Sequence, residues 1–235
     1  MTPPIPDRVM VIMAHPDDPE FFSGGTIARW CAAGAEIIYL ILTNGNKGSD
    51  DPDMTPENLV AVRREEQQAA AHVLGVKQVI FFDEPDGELQ STLILRKRVV
   101  AEIRRFKPDA IITLDPTRYF YQGMYINHAD HRAAGEVAVD AVFPAARNRM
   151  YHPELLYDGL EPHAVKDVYL AGTMQANRWV DITDMLETKL NAIRCHASQI
   201  KDVEAVTKRV MERSQAVDMY GRQVYREEFY VITLG

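Results

Sequence analysis

Cysteine is almost missing from this chain: of 235 residues only Cys31 and Cys195 carry a thiol. Both fall in segments that read as helix, and two distant thiols cannot build a cysteine-type zinc site. Read as buried and reduced, they fit a cytoplasmic protein. Positive charge is also in deficit. Lys and Arg total 26 against 34 Asp and Glu, a formal charge of -8, which repels a phosphate backbone and removes nucleic acid as an expected partner. No apolar run approaches the roughly 18–20 residues that span a bilayer, so no membrane partner is expected. Met1 to Arg8 is Pro-rich and lacks the charged region and apolar stretch of a secretory signal. Internal repeats, low-complexity tracts and linkers are absent too, and a 46% hydrophobic composition is enough for one core, so 1–235 reads as a single domain.

What is present alternates. Val9 to Ala14 is a short apolar run, Gly24-Gly25 is followed by a helical pattern over Thr26 to Ala33, and Glu36 to Leu42 is a second buried-type strand. Pro56 to Leu74 carries a long helical pattern stopped by Gly75. Gln78 to Phe82 reads as strand, Leu93 to Phe106 as helix and Asp109 to Leu114 as strand. Beyond them the pattern predicts a helix over Ala133 to Val142, a strand near Val168 to Leu170, helices over Asp184 to Arg194 and Asp202 to Tyr220, and a closing strand over Glu228 to Leu234. Such alternation implies α/β architecture: a Rossmann-like three-layer sandwich with a mainly parallel sheet. Ligands of such sheets sit beyond the carboxyl ends of the strands. Three polar segments fall at those ends: His15 to Glu20, Thr43 to Lys47 and Asp115 to His131.

The first of these, His15-Pro16-Asp17-Asp18-Pro19-Glu20, sets an imidazole and three carboxylates directly after a buried strand. An acidic loop feeding a helix N-terminus accounts for Asp18 or Glu20 through capping and the helix dipole. It does not account for His15. The second constellation, Asn127-His128-Ala129-Asp130-His131, opens a helix, and histidines three apart share a helical face. Two partly exposed histidines at a helix start are the plain alternative. Taken together, the two segments allow His15, Asp18 and His131 to supply the three N/O ligands of a catalytic Zn2+ with water in the fourth place. Asp17 then stands as general base, His128 as the group that steadies the oxyanion or protonates the leaving amine, and Asp130 as the carboxylate that holds one imidazole in its tautomer.

These residues resemble the LmbE-like, or PIG-L, family of N-acetylglucosaminyl deacetylases. The likeness rests on the Ala-His-Pro-Asp-Asp-x-Glu turn and the downstream His-x-Asp-His. It extends through Thr43-Asn44-Gly45, the Arg63-Arg64-Glu65-Glu66 helix, Trp179 to Thr183 and His196-Ala197-Ser198-Gln199. Ala129 departs from the family's usual proline without removing a catalytic group. The resemblance implies a Rossmann-like fold, one zinc per chain, a homo-oligomer such as a trimer or hexamer, and removal of an acetyl group from a small N-acetylglucosamine-type substrate. On that pattern His15, Asp18 and His131 match the metal positions, Asp17 the base and His128 the assisting histidine.

Three further residues are candidates for substrate contact, each with a plainer alternative. Arg63 matches a position that contacts substrate hydroxyls, or it is an exposed helical arginine paired with Gln67 or Glu66. Asn44 touches the sugar or caps a turn. His196 reaches the active site of its own or a neighbouring subunit, or it is a cation at a helix C-terminus. His72, His152 and His163 have no partner at ligand spacing and read as surface. Trp179 and the run Tyr119-Phe120-Tyr121 offer rings for a sugar face, the latter in a long loop where substrate walls are found. Specificity is expected from loops around 50–55, 118–127 and 147–161.

Three other functions compete with this one. A nucleotide-binding enzyme of the same fold needs closely spaced glycines after the first strand, and here that place holds His15, Asp17 and Asp18, which repel a pyrophosphate. A non-catalytic metal- and sugar-binding protein has no use for Asp17 and His128. An amidase acting on a different small amide shares the chemistry, and another divalent ion can replace zinc at such ligands.

Overall fold

A computed structural model of the chain describes residues 4–121 and 125–235. Among the described residues ten strands and six α-helices follow one another as β1 (Arg8–Met13), α1 (Asp18–Ala32), β2 (Glu36–Thr43), α2 (Pro56–Leu74), β3 (Gln78–Glu84), α3 (Leu93–Phe106), β4 (Ala110–Leu114), β5 (Phe120–Tyr121), β6 (Tyr125–Ile126), α4 (Ala129–Asp140), β7 (Asp167–Ala171), β8 (Arg178–Asp181), α5 (Leu186–Arg194), α6 (Val203–Ser214), β9 (Gln215–Val217) and β10 (Gln223–Thr233). The sheet runs in the order β3-β2-β1-β4-β7-β10-β8. Its first five strands are parallel, whereas β10 is antiparallel to both β7 and β8. The α/β, mainly parallel architecture expected from the alternation is the one observed.

Chain order reverses between β1 and β4, which makes the crevice at their carboxyl ends the natural ligand position of this topology. Val9–Met13 of β1 and all of β4 are buried and, Thr113 apart, apolar, as strands covered on both faces must be. Helices α1, α2 and α5 pack together, and α3 packs with α4, so the sheet lies between two helical layers. Thr55 and Thr92 cap α2 and α3 through their side-chain oxygens, and Gly75, with φ 83°, closes α2 in the left-handed conformation that glycine adopts without cost.

Four expectations need correction. Helix α1 begins at Asp18 rather than Thr26, because Pro19 suits a first helical turn, which has no partner for its N–H. Gly24 and Gly25 therefore sit inside the helix. A Cβ on Gly25 would lie 2.7 Å from Ile182, so glycine serves close packing there. The mid-helix N–H groups of Gly25 and Thr26 donate to the Glu227 carboxylate at 2.9 and 2.7 Å, and Lys189 Nζ pairs with that carboxylate at 2.6 Å. Helix α6 ends at Ser214 instead of reaching Tyr220. Asp218 Oδ1 accepts from the N–H groups of Tyr220 and Arg222, closing a turn that returns Gln215–Val217 against the start of β10. The closing strand accordingly begins at Gln223, and α4 begins at Ala129 rather than Ala133. Strand β8, for which the sequence pattern predicts no element, carries Trp179 exposed at the sheet edge.

Among the described residues no helix is long and apolar enough to cross a membrane. Both cysteines are free and half-buried rather than fully buried. Burial pushes the Cys31 thiol up to about 11.

Helix α4 carries the second histidine constellation, and its distance from β4 is set by Gly135, where an added Cβ would stand 2.2 Å from the Leu114 carbonyl oxygen. Backbone cannot yield as a flexible side chain does. Gly135→Ala is expected to destabilise the fold by about 1–3 kcal/mol, the usual cost of overpacking, read as a lower urea midpoint. An unchanged midpoint would show that α4 is free to move away from the sheet.

Candidate metal centre and active site

The segment after β1 and the segment that opens α4 meet across the β1–β4 crevice. Asp18, the first residue of α1, bridges them. Its Oδ2 accepts the His15 backbone N–H at 2.8 Å and faces His15 Nδ1 at 3.3 Å, while its Oδ1 faces His131 Nε2 at 3.1 Å. The outer nitrogen of each ring is turned to an oxygen. His15 Nε2 lies 3.1 Å from both Asp130 Oδ2 and Asp86 Oδ1, and His131 Nδ1 lies 3.2 Å from Asn127 Oδ1. The Asn127 amide is oriented by its own donor, since Nδ2 bonds the Arg118 carbonyl at 2.8 Å.

Both nitrogens of each ring thus face oxygens. With a cation beside Asp18, the acceptor on each outer nitrogen would keep the proton there and leave the lone pairs of His15 Nδ1 and His131 Nε2 to the ion. Ligand atoms of His15, Asp18 and His131 all lie within 4.8 Å of one another, and two imidazoles with one carboxylate are the donor types of an open divalent-cation site. The donor set therefore fits a single divalent cation with room for a substrate or water. Position at the start of α1 adds the positive end of the helix dipole beside the Asp18 carboxylate.

The charges agree with this geometry. Burial would lower the His15 imidazole, but hydrogen bonds to Asp130, Asp18 and Asp86 outweigh it and hold its pKa well above the ordinary value. Burial would raise Asp18, yet the charge and hydrogen bond of His131, together with His15, hold it well below the usual carboxylate range.

Asp17 stands apart from its neighbour. Its φ of 101° is outside the range that capping residues adopt, and its side chain makes no cap; its carbonyl accepts from Glu20 and Phe21 instead, at 3.1 and 3.2 Å. A positive φ on a residue other than glycine costs on the order of 1–3 kcal/mol and needs surroundings that impose it. The carboxylate thus freed receives Arg63 Nη2 at 3.2 Å. Burial raises its pKa to about 6, against the opposing charge of Arg63.

The remaining sequence candidates are placed as follows. Asp130 is fully buried and, besides His15, accepts the N–H groups of Gly87 at 2.6 Å and Leu89 at 3.2 Å. His128 caps α4 and accepts the Asp130 N–H on Nδ1 at 3.2 Å. A neutral His128 ring therefore carries its proton on Nε2, and burial lowers its pKa, favouring that neutral form. Arg63 is 3% exposed; it donates to Gly45 O at 3.0 Å and Pro16 O at 2.5 Å, so it is not the exposed helical arginine considered above. Asn44 accepts the Asn46 N–H at 3.2 Å in a turn. His196 is fully buried with Nε2 on Glu20 at 3.1 Å, which sets it behind Asp17 rather than in the open crevice. Trp179 lies three strands from β4, at the sheet edge. His72 is exposed and His152 and His163 are half-buried, His163 Nε2 meeting Pro108 O at 2.6 Å. Residues 122–124, inside the 118–127 loop expected to wall the site, lie outside the described residues.

The sequence gives no signal for Asp86 or for Gln67 as part of the site, and it assigns no site role to Glu20 or Asn127 although both stand in the two constellations. Asp86 follows β3, the one early strand end left out of the tally of polar segments. Gln67 was visible only as Arg63 plus four, one helical turn along the same face.

Comparison with known proteins accords with this picture. The family model described as PIG-L: GlcNAc-PI de-N-acetylase matches residues 10–142. The diacetylchitobiose deacetylase of Thermococcus kodakarensis is 36% identical over 195 residues, 83% of this chain and 71% of that protein. This chain belongs to the PIG-L family. The structure of N,N'-diacetylchitobiose deacetylase from Pyrococcus horikoshii superposes with a TM-score of 0.88 at 31% identity, covering 97% of this chain and 84% of that one. The fold alone is shared with GalB, a 4-carboxy-2-hydroxymuconate hydratase from Pseudomonas putida, at TM-score 0.79 and 24% identity, with 97% of each chain covered. Fold does not choose the reaction within this architecture.

His131→Ala is expected to abolish zinc binding, measured by elemental analysis after dialysis, whereas Asp17→Asn retains it. Equal zinc in the His131 variant and the unsubstituted chain would remove His131 from the ligand set.

Proposed function

We propose that this PIG-L family member hydrolyses the acetamide of a small N-acetylglucosamine-type substrate. The observation that carries the reading is the convergence of His15, Asp18 and His131 on one point, with the unneeded-for-capping carboxylate of Asp17 beside it. Those three residues would hold a divalent cation, Zn2+ by its preference for imidazole and carboxylate, and the bound ion would polarise the amide carbonyl and acidify a water in its open position.

The chain's own groups do the rest. Asp17 is ionised at neutral pH, yet burial makes it more basic than a free carboxylate, which suits a group that takes a proton from the attacking water. The new bond joins that water's oxygen to the acetyl carbon, and the bond to nitrogen breaks. His128 offers its Nε2 proton to the developing oxyanion or to the departing amine. Acetate and the free amino sugar are the products, and the proton held by Asp17 leaves with the amine. Asp130, Asp86 and Asn127 keep the two imidazoles in the tautomer and orientation that this needs.

The same reading includes a homo-oligomer, trimer or hexamer, and a cytoplasmic setting. The exposed edge strand β8 with Trp179 supports the former and the free, half-buried thiols the latter. Diacetylchitobiose is the first substrate to try, because it is named for the relatives with over 30% identity. Other small N-acetyl amides belong in the same panel.

Acetate release from N-acetylated amino sugars is expected to depend on a divalent cation, to stop on chelation and to return with zinc. Asp17→Asn should lower kcat by about 100-fold or more, the scale of lost general-base assistance. Turnover that survives chelation, or an Asp17→Asn variant with unreduced kcat, would refute the reading.

A further inference from the structure

The strained backbone of Asp17 raises the question of what imposes it. Its N–H donates to Gln67 Oε1 at 2.8 Å. Gln67 is fully buried, and its other amide atom, Nε2, lies 3.1 Å from each oxygen of the Glu20 carboxylate. Glu20 in turn accepts His196 Nε2 at 3.1 Å, with both side chains fully buried.

The orientation of the Gln67 amide in this chain is forced. A backbone N–H can only donate, so the Gln67 oxygen must face Asp17, and the Gln67 amine is left to donate to the Glu20 carboxyl oxygens. Burial against those two partners leaves the Gln67 amide no second orientation. Arg63 and Gln67 stand four residues apart on α2 and present one face of it. Arg63 grips the Pro16 carbonyl and the Asp17 carboxylate, while Gln67 grips the Asp17 amide. One helix thereby holds three consecutive polar groups of the turn that follows β1.

We infer that Gln67 is a positioning residue of the hydrolytic reaction: with Glu20 and His196 behind it, it locks the Asp17 main chain at positive φ so that the carboxylate faces the metal centre. Without that acceptor the Asp17 N–H is buried and unpaired, and the turn relaxes toward ordinary capping geometry, in which an aspartate folds its side chain back onto the helix N-terminus. The base is then present but misaimed. This inference rests on the deacetylase reading above.

Gln67→Leu tests it, with Gln67→Met as the second variant should leucine prevent folding, since methionine spans the same length without an acceptor. Expected is a kcat for acetate release lowered about 10- to 100-fold, the penalty of misplacing a reacting group by about an ångström. KM and bound zinc stay as in the unsubstituted chain. Amide hydrogen exchange over residues 15–21, which needs no turnover, speeds up. In an Asp17→Asn background the Gln67 substitution costs no further activity, because Gln67 acts only through Asp17. Full kcat in both Gln67 variants, unchanged exchange, or an additional loss on top of Asp17→Asn each overturns the inference. Failure of the unsubstituted chain to release acetate counts against the deacetylase reading instead, and the exchange measurement still decides whether Gln67 holds Asp17.

Discussion

One carboxylate joins the two halves of the site. Asp18 faces an imidazole from the turn after β1 with one oxygen and an imidazole from α4 with the other. Everything that makes this contact possible is fold: two buried parallel strands side by side, a helix that opens just after β1, another that opens at the end of the loop after β4, and a chain order that reverses between them. Were α4 to stand further from β4, His131 would leave Asp18. Gly135 and the Leu114 carbonyl set that spacing.

Around this contact the molecule gathers charge that its core could not otherwise tolerate. Asp18, Asp86 and Asp130 face one histidine, and Glu20 faces another. Buried carboxylates without partners are costly, so each is matched to imidazole, guanidinium or backbone N–H. The matching is uneven in a useful way. Asp18 is pushed down into permanent ionisation while Asp17, next to it in sequence, is pushed up. Adjacent carboxylates with opposed shifts suit a ligand and a base respectively.

The site's ligand types and the fold class were legible in the sequence because both depend on local signals: apolar runs for the strands, histidines at helical spacing, carboxylates where a simple turn needs none. The parts that were not legible are long-range. Arg63, Gln67 and His196 look like surface helix residues until packing buries them against the first turn. Asp86 gains meaning only once β3 lies two strands from β1 and its end curls over His15. Helix boundaries failed for a related reason: Gly24-Gly25 reads as a turn from sequence, but glycine there answers to Ile182, 157 positions beyond Gly25 and close in space. The end of α6 was lost to a hairpin whose second strand lies beyond the turn at Asp218.

The account stands on three side chains sharing one cation, and anomalous diffraction at the zinc absorption edge from crystals grown with zinc addresses this directly. A single strong peak bounded by His15 Nδ1, an Asp18 oxygen and His131 Nε2 is the expected result. A peak elsewhere, for instance between His196 and Glu20, or a map without a peak near Asp18, would contradict it.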